Sequence, residues 1–175
     1  MLLSTEYASP LGAITLVSHG SSLAGLWFEG EKYFAPATGS TREGHGVLDQ
    51  AKKWLDAYFA GKKPSIADIP LAPQGSAFRQ AVWNILRHIP YGQCTTYGEI
   101  ARQMSAHTGK KMAAQAVGGA VGHNPVSIII PCHRVVGAGG NLTGYGGGIA
   151  RKMRLLELEG VDMSGFFIPR KGTAL

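Results

Sequence analysis

Pro70 and Pro73, in Ile69-Pro-Leu-Ala-Pro73, divide the chain into halves of different pattern. Proline fixes φ, lacks an N–H and disfavours helix in the residue before it, so the segment reads as a short stiff linker. Ahead of it, β-prone runs at Leu2–Tyr7, Ala13–Ser18 and Leu23–Phe28 are separated by Ser9-Pro10-Leu11-Gly12 and His19-Gly20-Ser21-Ser22, which predicts an antiparallel meander. Val47, Ala51, Trp54, Leu55 and Tyr58 then recur at helical spacing, with Gly61 placed as the stop. Residues 1–72 therefore read as a small α/β scaffold domain, with a loop from Tyr33 to His45 and no residue assigned to chemistry.

Past the linker the period becomes helical. Phe78, Val82, Ile85, Leu86 and Ile89 share one face of a helix that must end before Pro90-Tyr91-Gly92. Thr96-Tyr97-Gly98-Glu99 fits a capping box that opens a short helix to about Ser105, and a second helix is expected from Lys110 to about Val121. On that second helix Ala113, Ala116, Val117, Ala120 and Val121 should face the core, leaving Lys111, Gln115, Gly118 and Gly122 outside. Gly118-Gly119 weakens a helix by about 1 kcal/mol per glycine relative to alanine, which makes sense where another backbone or a DNA duplex comes close. Two short helices around a glycine turn match a helix-turn-helix, and equally a helical hairpin packed on a neighbour. The pattern leaves both readings open.

The chemistry points to Pro131-Cys-His-Arg134, after the turn signal Asn124-Pro125 and the apolar run Val126-Ser-Ile-Ile-Ile130, which reads as a strand. A thiol beside an imidazole and a guanidinium is a candidate nucleophile, because thiolate character rises near cations and an oriented histidine. Taken alone, a cysteine is more often a small buried hydrophobe. Arg134–Gly137 reads as a further strand and Ala138–Asn141 as a hairpin turn. Thr143-Gly-Tyr-Gly-Gly-Gly148 matches neither the Gly-x-Gly-x-x-Gly nor the P-loop pattern; its glycines leave backbone N–H groups free for a flat ligand. The last helix turns Ile149, Met153 and Leu156 inward and ends in Glu157-Leu-Glu159. Carboxylates at the negative end of a helix dipole are unfavourable, unless one is held for a partner such as His133.

Charge and cysteine usage narrow the classes. Six Lys/Arg against seven Asp/Glu up to Ala72 give −1, and eleven against four from Pro73 onward give +7, which together make the net +6. A basic second half suits a polyanion such as nucleic acid. Cys94 and Cys132 form no Cys-x-x-Cys, and the six histidines show no zinc spacing, so neither a disulfide framework nor a metal site is expected. No apolar stretch nears the roughly 20 residues of a membrane helix, and the N-terminus lacks a basic flank, so a cytoplasmic protein with no membrane partner is expected.

Together, Tyr97, Ala116-Val-Gly-Gly-Ala120, Asn124-Pro125, Ile130-Pro-Cys-His-Arg-Val135, Gly144-Tyr-Gly-Gly-Gly148 and Leu155-Leu-Glu-Leu-Glu-Gly160 resemble the methylated-DNA–protein-cysteine methyltransferases, or O6-alkylguanine-DNA alkyltransferases. The resemblance spans about residues 75 to 161. It implies a ribonuclease-H-like α/β domain over 1–72, followed over 73–175 by a mainly α winged helix-turn-helix domain that binds DNA and carries the catalytic thiol. It also implies direct reversal of damage, in which a flipped-out O6-alkylguanine or O4-alkylthymine passes its alkyl group irreversibly to Cys132. No cofactor is implied. Carried over by position, Glu159 orients His133, which takes up the thiol proton through a water; Tyr97 donates to the flipped purine; Asn124 braces the turn. The backbone around Val135, Tyr145 and Gly146 would bond the base edge.

Gln115, Lys110, Lys111, Arg102 and Arg134 are the expected DNA contacts. Gln115 departs from the resemblance, for an arginine commonly inserts into the base stack at its position, and glutamine lacks the charge and planar face. Alkyl-group preference would depend on how Ser127, Tyr145 and the glycine stretch close the pocket, and Cys94 reads as structural. The expected partner is double-stranded DNA bearing alkylated guanine, met by a monomer, with cooperative assembly left open. Other readings are a non-catalytic lesion sensor, which would typically carry tryptophan at 132, a winged-helix regulator, which leaves Cys132, His133 and Glu159 without a task, and a cysteine hydrolase, which needs turnover.

Overall fold

The computed structural model describes residues 1–34, 40, 41 and 46–170. The meander forms as β1 (Leu2–Ser9), β2 (Gly12–His19) and β3 (Ser22–Phe28), with the two-residue β4 (Ser40–Thr41) parallel to β1, in the order β3-β2-β1-β4. Much of the loop expected from Tyr33 to His45 lies outside the described residues. Leu3, Ile14, Leu16, Leu23, Leu26 and Phe28 point to the covered face, and α1 (Gly46–Phe59) lies on it with Val47, Leu48, Ala51, Trp54, Leu55 and Tyr58 buried. Gly61 stops α1 at φ +78°, where its N–H bonds to the Tyr58 carbonyl at 3.0 Å.

The exposed edge of β3 is where the second half attaches. Leu23 exchanges backbone bonds with Pro70 and Ala72 at 2.8 and 2.9 Å, so the linker itself covers part of that edge. Three residues on, Leu26 does the same with Pro125 and Ser127 at 2.8 and 3.0 Å. An edge strand with unpaired N–H and C=O groups is thereby closed by the segment leading into Cys132. One cluster of buried side chains runs from Leu3 to Leu155, so the halves share a core.

In the second half α2 (Ala77–Leu86), capped by Ser76, buries Val82, Trp83 and Leu86, and its Trp83 indole donates to the Ala120 carbonyl at 2.8 Å. β5 (Thr95–Thr96) leads directly into α3 (Tyr97–Thr108). Half of the expected capping box forms: the Thr96 hydroxyl accepts from Glu99 N–H at 3.1 Å, whereas the Glu99 carboxylate turns to Arg102. Gly109, at φ +70°, ends α3 three residues later than expected. The second helix, α4 (Ala114–Gly122), starts four residues later than expected, so Lys110 and Lys111 lie in the turn. Val117, Ala120 and Val121 are buried as expected, but Ala113 and Ala116 are exposed, because the later start leaves them at the open end of the helix.

The run Val126–Ile130 is not a strand. Only Val126 bridges to β3; the chain then folds tightly, with Ile129 N–H bonding to the Ser127 carbonyl at 2.8 Å around Ile128 at φ +70°. Cys132 N–H bonds in the same two-residue manner to Ile130 around Pro131. These are consecutive γ-turns of opposite hand, the first a strained form for a β-branched residue. An apolar run without alternation fits any fully buried path, which is why it misled. β6 (Val135–Val136) pairs parallel with β5, and Gly137 bridges Asn141 across the expected hairpin turn. α5 (Ile149–Leu158) closes the fold, with Leu156 buried and Ile149 and Met153 partly so.

Candidate active site

Cys132 opens a single 3-10 turn, Cys132–Arg134, whose side chains are all buried. Asn124 holds the approach to it: its side-chain amide donates to the Ile130 carbonyl at 2.8 Å while its carbonyl accepts from Val126 N–H at 3.0 Å. This ties both ends of the γ-turn segment to one side chain. Burial, together with the charge of Glu31, pushes the Cys132 thiol up to about 11, against the opposing pull of Asn124 and Lys152. The resting sulfur is therefore a thiol at neutral pH, contrary to the thiolate that its neighbours suggest.

His133 Nε2 lies 2.5 Å from Glu159 Oε2. Glu159 also accepts from the Tyr58 hydroxyl at 2.7 Å, Arg134 Nε at 2.7 Å and Gly92 N–H at 3.1 Å. Gly92 adopts φ +77° to present that N–H, with the Glu159 backbone carbonyl 3.0 Å from where a Cβ would stand. Burial alone would raise the Glu159 carboxyl, but the bonds from His133 and Arg134 and the Arg134 charge outweigh it and hold the acid well below the usual carboxylate range. Burial depresses His133, so the ring is neutral, donates from Nε2, and keeps Nδ1 as a buried acceptor that bonds to no described residue. The acid at the unfavourable end of α5 is thus held by four donors from three other segments.

Arg134, expected at the surface, is buried. Its guanidinium is buried between Glu159 and the Ile89 carbonyl, at 2.7 Å from each, so it belongs to the carboxylate's cage. Lys152 and Tyr58 were not singled out in the sequence. Lys152 is fully buried and donates to the Val135 and Thr143 carbonyls, at 2.5 and 3.0 Å, and desolvation lowers it to about 8. Its signal was present: Ile149, Lys152 and Leu156 fall on one inward face. Tyr58 carried none, because an aromatic at a core position of α1 looks like packing.

The Tyr97 hydroxyl donates to the Gly144 and Thr143 carbonyls, at 2.9 and 3.2 Å, and its ring lies beneath Gly118. Above it a groove of about 800 Å³ is lined by Thr96, Tyr97, Arg102, Gln115, Gly118 and Gly144. Gln115 is exposed on the first turn of α4, Lys110 and Lys111 are exposed in the turn before it, and Arg102 is exposed but paired with Glu99 at 2.5 Å. Tyr145 is buried with its hydroxyl unbonded among the described residues, while the Val135 and Gly146 carbonyls are engaged by Lys152 and the Lys32 N–H. Tyr97, which lines this groove, also senses the charge of Cys132, so the helix-turn-helix groove and the thiol are neighbours.

Comparison with known proteins agrees over both halves. Residues 2–73 match the family described as "6-O-methylguanine DNA methyltransferase, ribonuclease-like domain", and residues 77–161 the "6-O-methylguanine DNA methyltransferase, DNA binding domain". A methylated-DNA–protein-cysteine methyltransferase of Mycobacterium bovis is 50% identical over 151 residues, 86% of this chain and 88% of that one. One of Haemophilus influenzae is 43% identical over 155 residues, 89% and 84% of the two chains. A crystal structure of Mycobacterium tuberculosis OGT in complex with DNA superposes with a TM-score of 0.81 at 46% identity, covering 90% of this chain and 93% of that one. With one family match on each side of the linker and relatives up to 50% identical over 86% of it, the chain belongs to the 6-O-methylguanine DNA methyltransferase family.

Proposed function

We propose that this protein repairs DNA by direct reversal, taking the alkyl group of a flipped-out O6-alkylguanine, and of O4-alkylthymine, onto Cys132. The 73–175 half binds the duplex and carries the thiol, on a 1–72 scaffold. One observation supports this above the others: a buried thiol is set beside a neutral His133 that Glu159 orients, and Tyr97, which senses that thiol's charge, lines the groove along the helix-turn-helix. Sulfur forms the new S–C bond as the C–O6 bond breaks, and the released electron pair leaves on the base. The thiol proton passes through one water to His133 Nδ1, and a proton returns to the purine, which departs as guanine. Because the thiol rests protonated, ionisation is coupled to substrate entry. No base hydrolyses the thioether, so each chain acts once.

Tyr97 exchanges its bond to Gly144 for one to the flipped purine, and backbone around Val135, Tyr145 and Gly146 meets the base edge. Gln115 enters the stack, with Lys110, Lys111 and Arg102 near phosphates. The chain acts on alkylated duplex DNA as a monomer in the cytoplasm. Intact-mass analysis after incubation with an O6-methylguanine duplex tests the reading. One methylene unit of added mass, localised to Cys132 and absent from Cys132→Ser, is expected; an unmodified protein that clears several lesions overturns it in favour of a hydrolase.

A further inference from the structure

Glu31 lies just past β3, in the half read as scaffold, yet its side chain is buried at 7% exposure. Oε2 accepts from the Phe28 N–H at 2.8 Å and Oε1 from the Ser127 hydroxyl at 2.7 Å. A Cβ on Gly146 would stand 3.3 Å from Oε1, and Lys32 N–H bonds to the Gly146 carbonyl at 3.1 Å. One acid thus touches both the γ-turn segment that delivers Cys132 and the glycine stretch beside it. Arg151 of α5 favours its charge, although the guanidinium bonds to the Leu11, Glu29 and Gly147 carbonyls. Cys132 and Tyr145 both sense that charge.

We propose that Glu31 is a positioning residue of the alkyl-transfer site, whose buried charge governs how readily Cys132 releases its proton. The proposal rests on the alkyl-transfer reading of Cys132. Two ionisable groups in one low-dielectric enclosure titrate as a pair, so a carboxylate makes the thiolate harder to form and a thiolate makes the carboxylate harder to form. Burial, opposed by the Ser127 and Phe28 bonds and by Arg151, carries Glu31 up to about 7. Below that pH Glu31 is neutral and leaves the thiol to Lys152 and Asn124. As pH rises through it, the new charge resists ionisation of the sulfur. The thiolate fraction therefore climbs less than tenfold per pH unit across neutrality.

Glu31→Gln removes the charge and keeps the fit, for its amide oxygen still accepts from Phe28 N–H while its NH₂ donates to the Ser127 oxygen. Without that charge the thiol falls, and each tenfold gain in thiolate carries only about a threefold loss of nucleophilicity, a net gain of roughly threefold. The experiment is the pH–rate profile, pH 6 to 9, of the reaction with free O6-methylguanine, followed by intact mass. We expect the wild-type profile to flatten near pH 7, and Glu31→Gln to be faster above that pH and to lose this inflection while keeping the bend that the discharge of Lys152 gives both proteins near pH 8. Superimposable profiles, or a slower variant of unchanged profile shape, overturn the proposal. Should Glu31→Gln fail to fold, Ser127→Ala serves: it strips one bond from the carboxylate, so the flattening must move to higher pH, and an unmoved inflection sinks the idea. If neither wild type nor variant gains mass on Cys132, it is the alkyl-transfer reading that fails.

Discussion

Glu159 is the side chain on which most of the site's polar bonds converge. His133, Arg134, Tyr58 and the Gly92 N–H all donate to it, and three of those four come from buried side chains. Removing one member of a buried charge pair leaves the other unpaired, which is worse than never having buried either. Glu159→Gln keeps the shape but abandons Arg134, so we expect about 3–5 kcal/mol lower stability at pH 7 by urea unfolding, the range for broken buried pairs. The pH dependence has a definite sign. A carboxylate held below its unfolded value stabilises the fold fully above that value, about 4.3, and loses the contribution as pH falls toward its folded value. Wild type should therefore weaken below about pH 4 while Glu159→Gln stays flatter there, and the gap between their unfolding midpoints should narrow. A gap that widens in acid would mean that Glu159 is not ionised in the fold.

At the scale of single elements, α4 carries glycines that its own packing does not require. A Cβ at Gly119 would meet nothing within 4 Å, and one at Gly118 would make an ordinary 3.8 Å contact with the Tyr97 ring. Both sit on a helix only nine residues long, where each glycine in place of alanine costs about 1 kcal/mol. The open space leaves room for a duplex backbone to come close, which a variant can test. Gly119→Ala should raise urea-denaturation stability by about 1 kcal/mol and weaken duplex binding, measured by fluorescence anisotropy. A variant that gains stability and binds as well as wild type would assign the glycines no part in DNA contact.

On the same helix, Gln115→Arg supplies a charged planar group at the position proposed to enter the stack, and should speed repair of duplex while leaving reaction with the free base unchanged. An unaltered duplex rate would mean that insertion does not limit the reaction. Elements such as α1, α3 and the meander were legible because turn residues and the 3.6 and 2.0 periods leave marks in the chain. The γ-turn segment was not, since Val126, Ile128, Ile129 and Ile130 are buried on every side and their pattern carries no period.

At the scale of the whole molecule, the residues at hand in Pro131-Cys-His-Arg134 were readable, and their distant supports were not. His133 bonds to Glu159 and Asn124 braces the segment leading to Cys132, while Tyr58 and Glu31 reach these groups from a half that looked inert. A contact between residues 58 and 159 is a product of the shared core, and no spacing rule encodes it. The division of charge behaves similarly. Net charge from Pro73 onward promised a broad basic face, yet Arg134 and Lys152 are buried and hold the site together, and Arg151 bonds to carbonyls across to β3.

Of the expected contacts, Lys110, Lys111 and Arg102 remain to meet phosphates, and Arg102 must first leave Glu99. Three neutralised phosphates give a slope of log K against log salt of about −2.7, hence roughly fortyfold weaker duplex binding between 50 and 200 mM salt. Counting the buried Arg134 as a fourth would predict a slope of about −3.6. Lys110→Ala with Lys111→Ala should cut the slope by about two and leave the rate with free O6-methylguanine unchanged, because that reaction releases no counterions. A slope that survives both substitutions would move the duplex to another face of the protein.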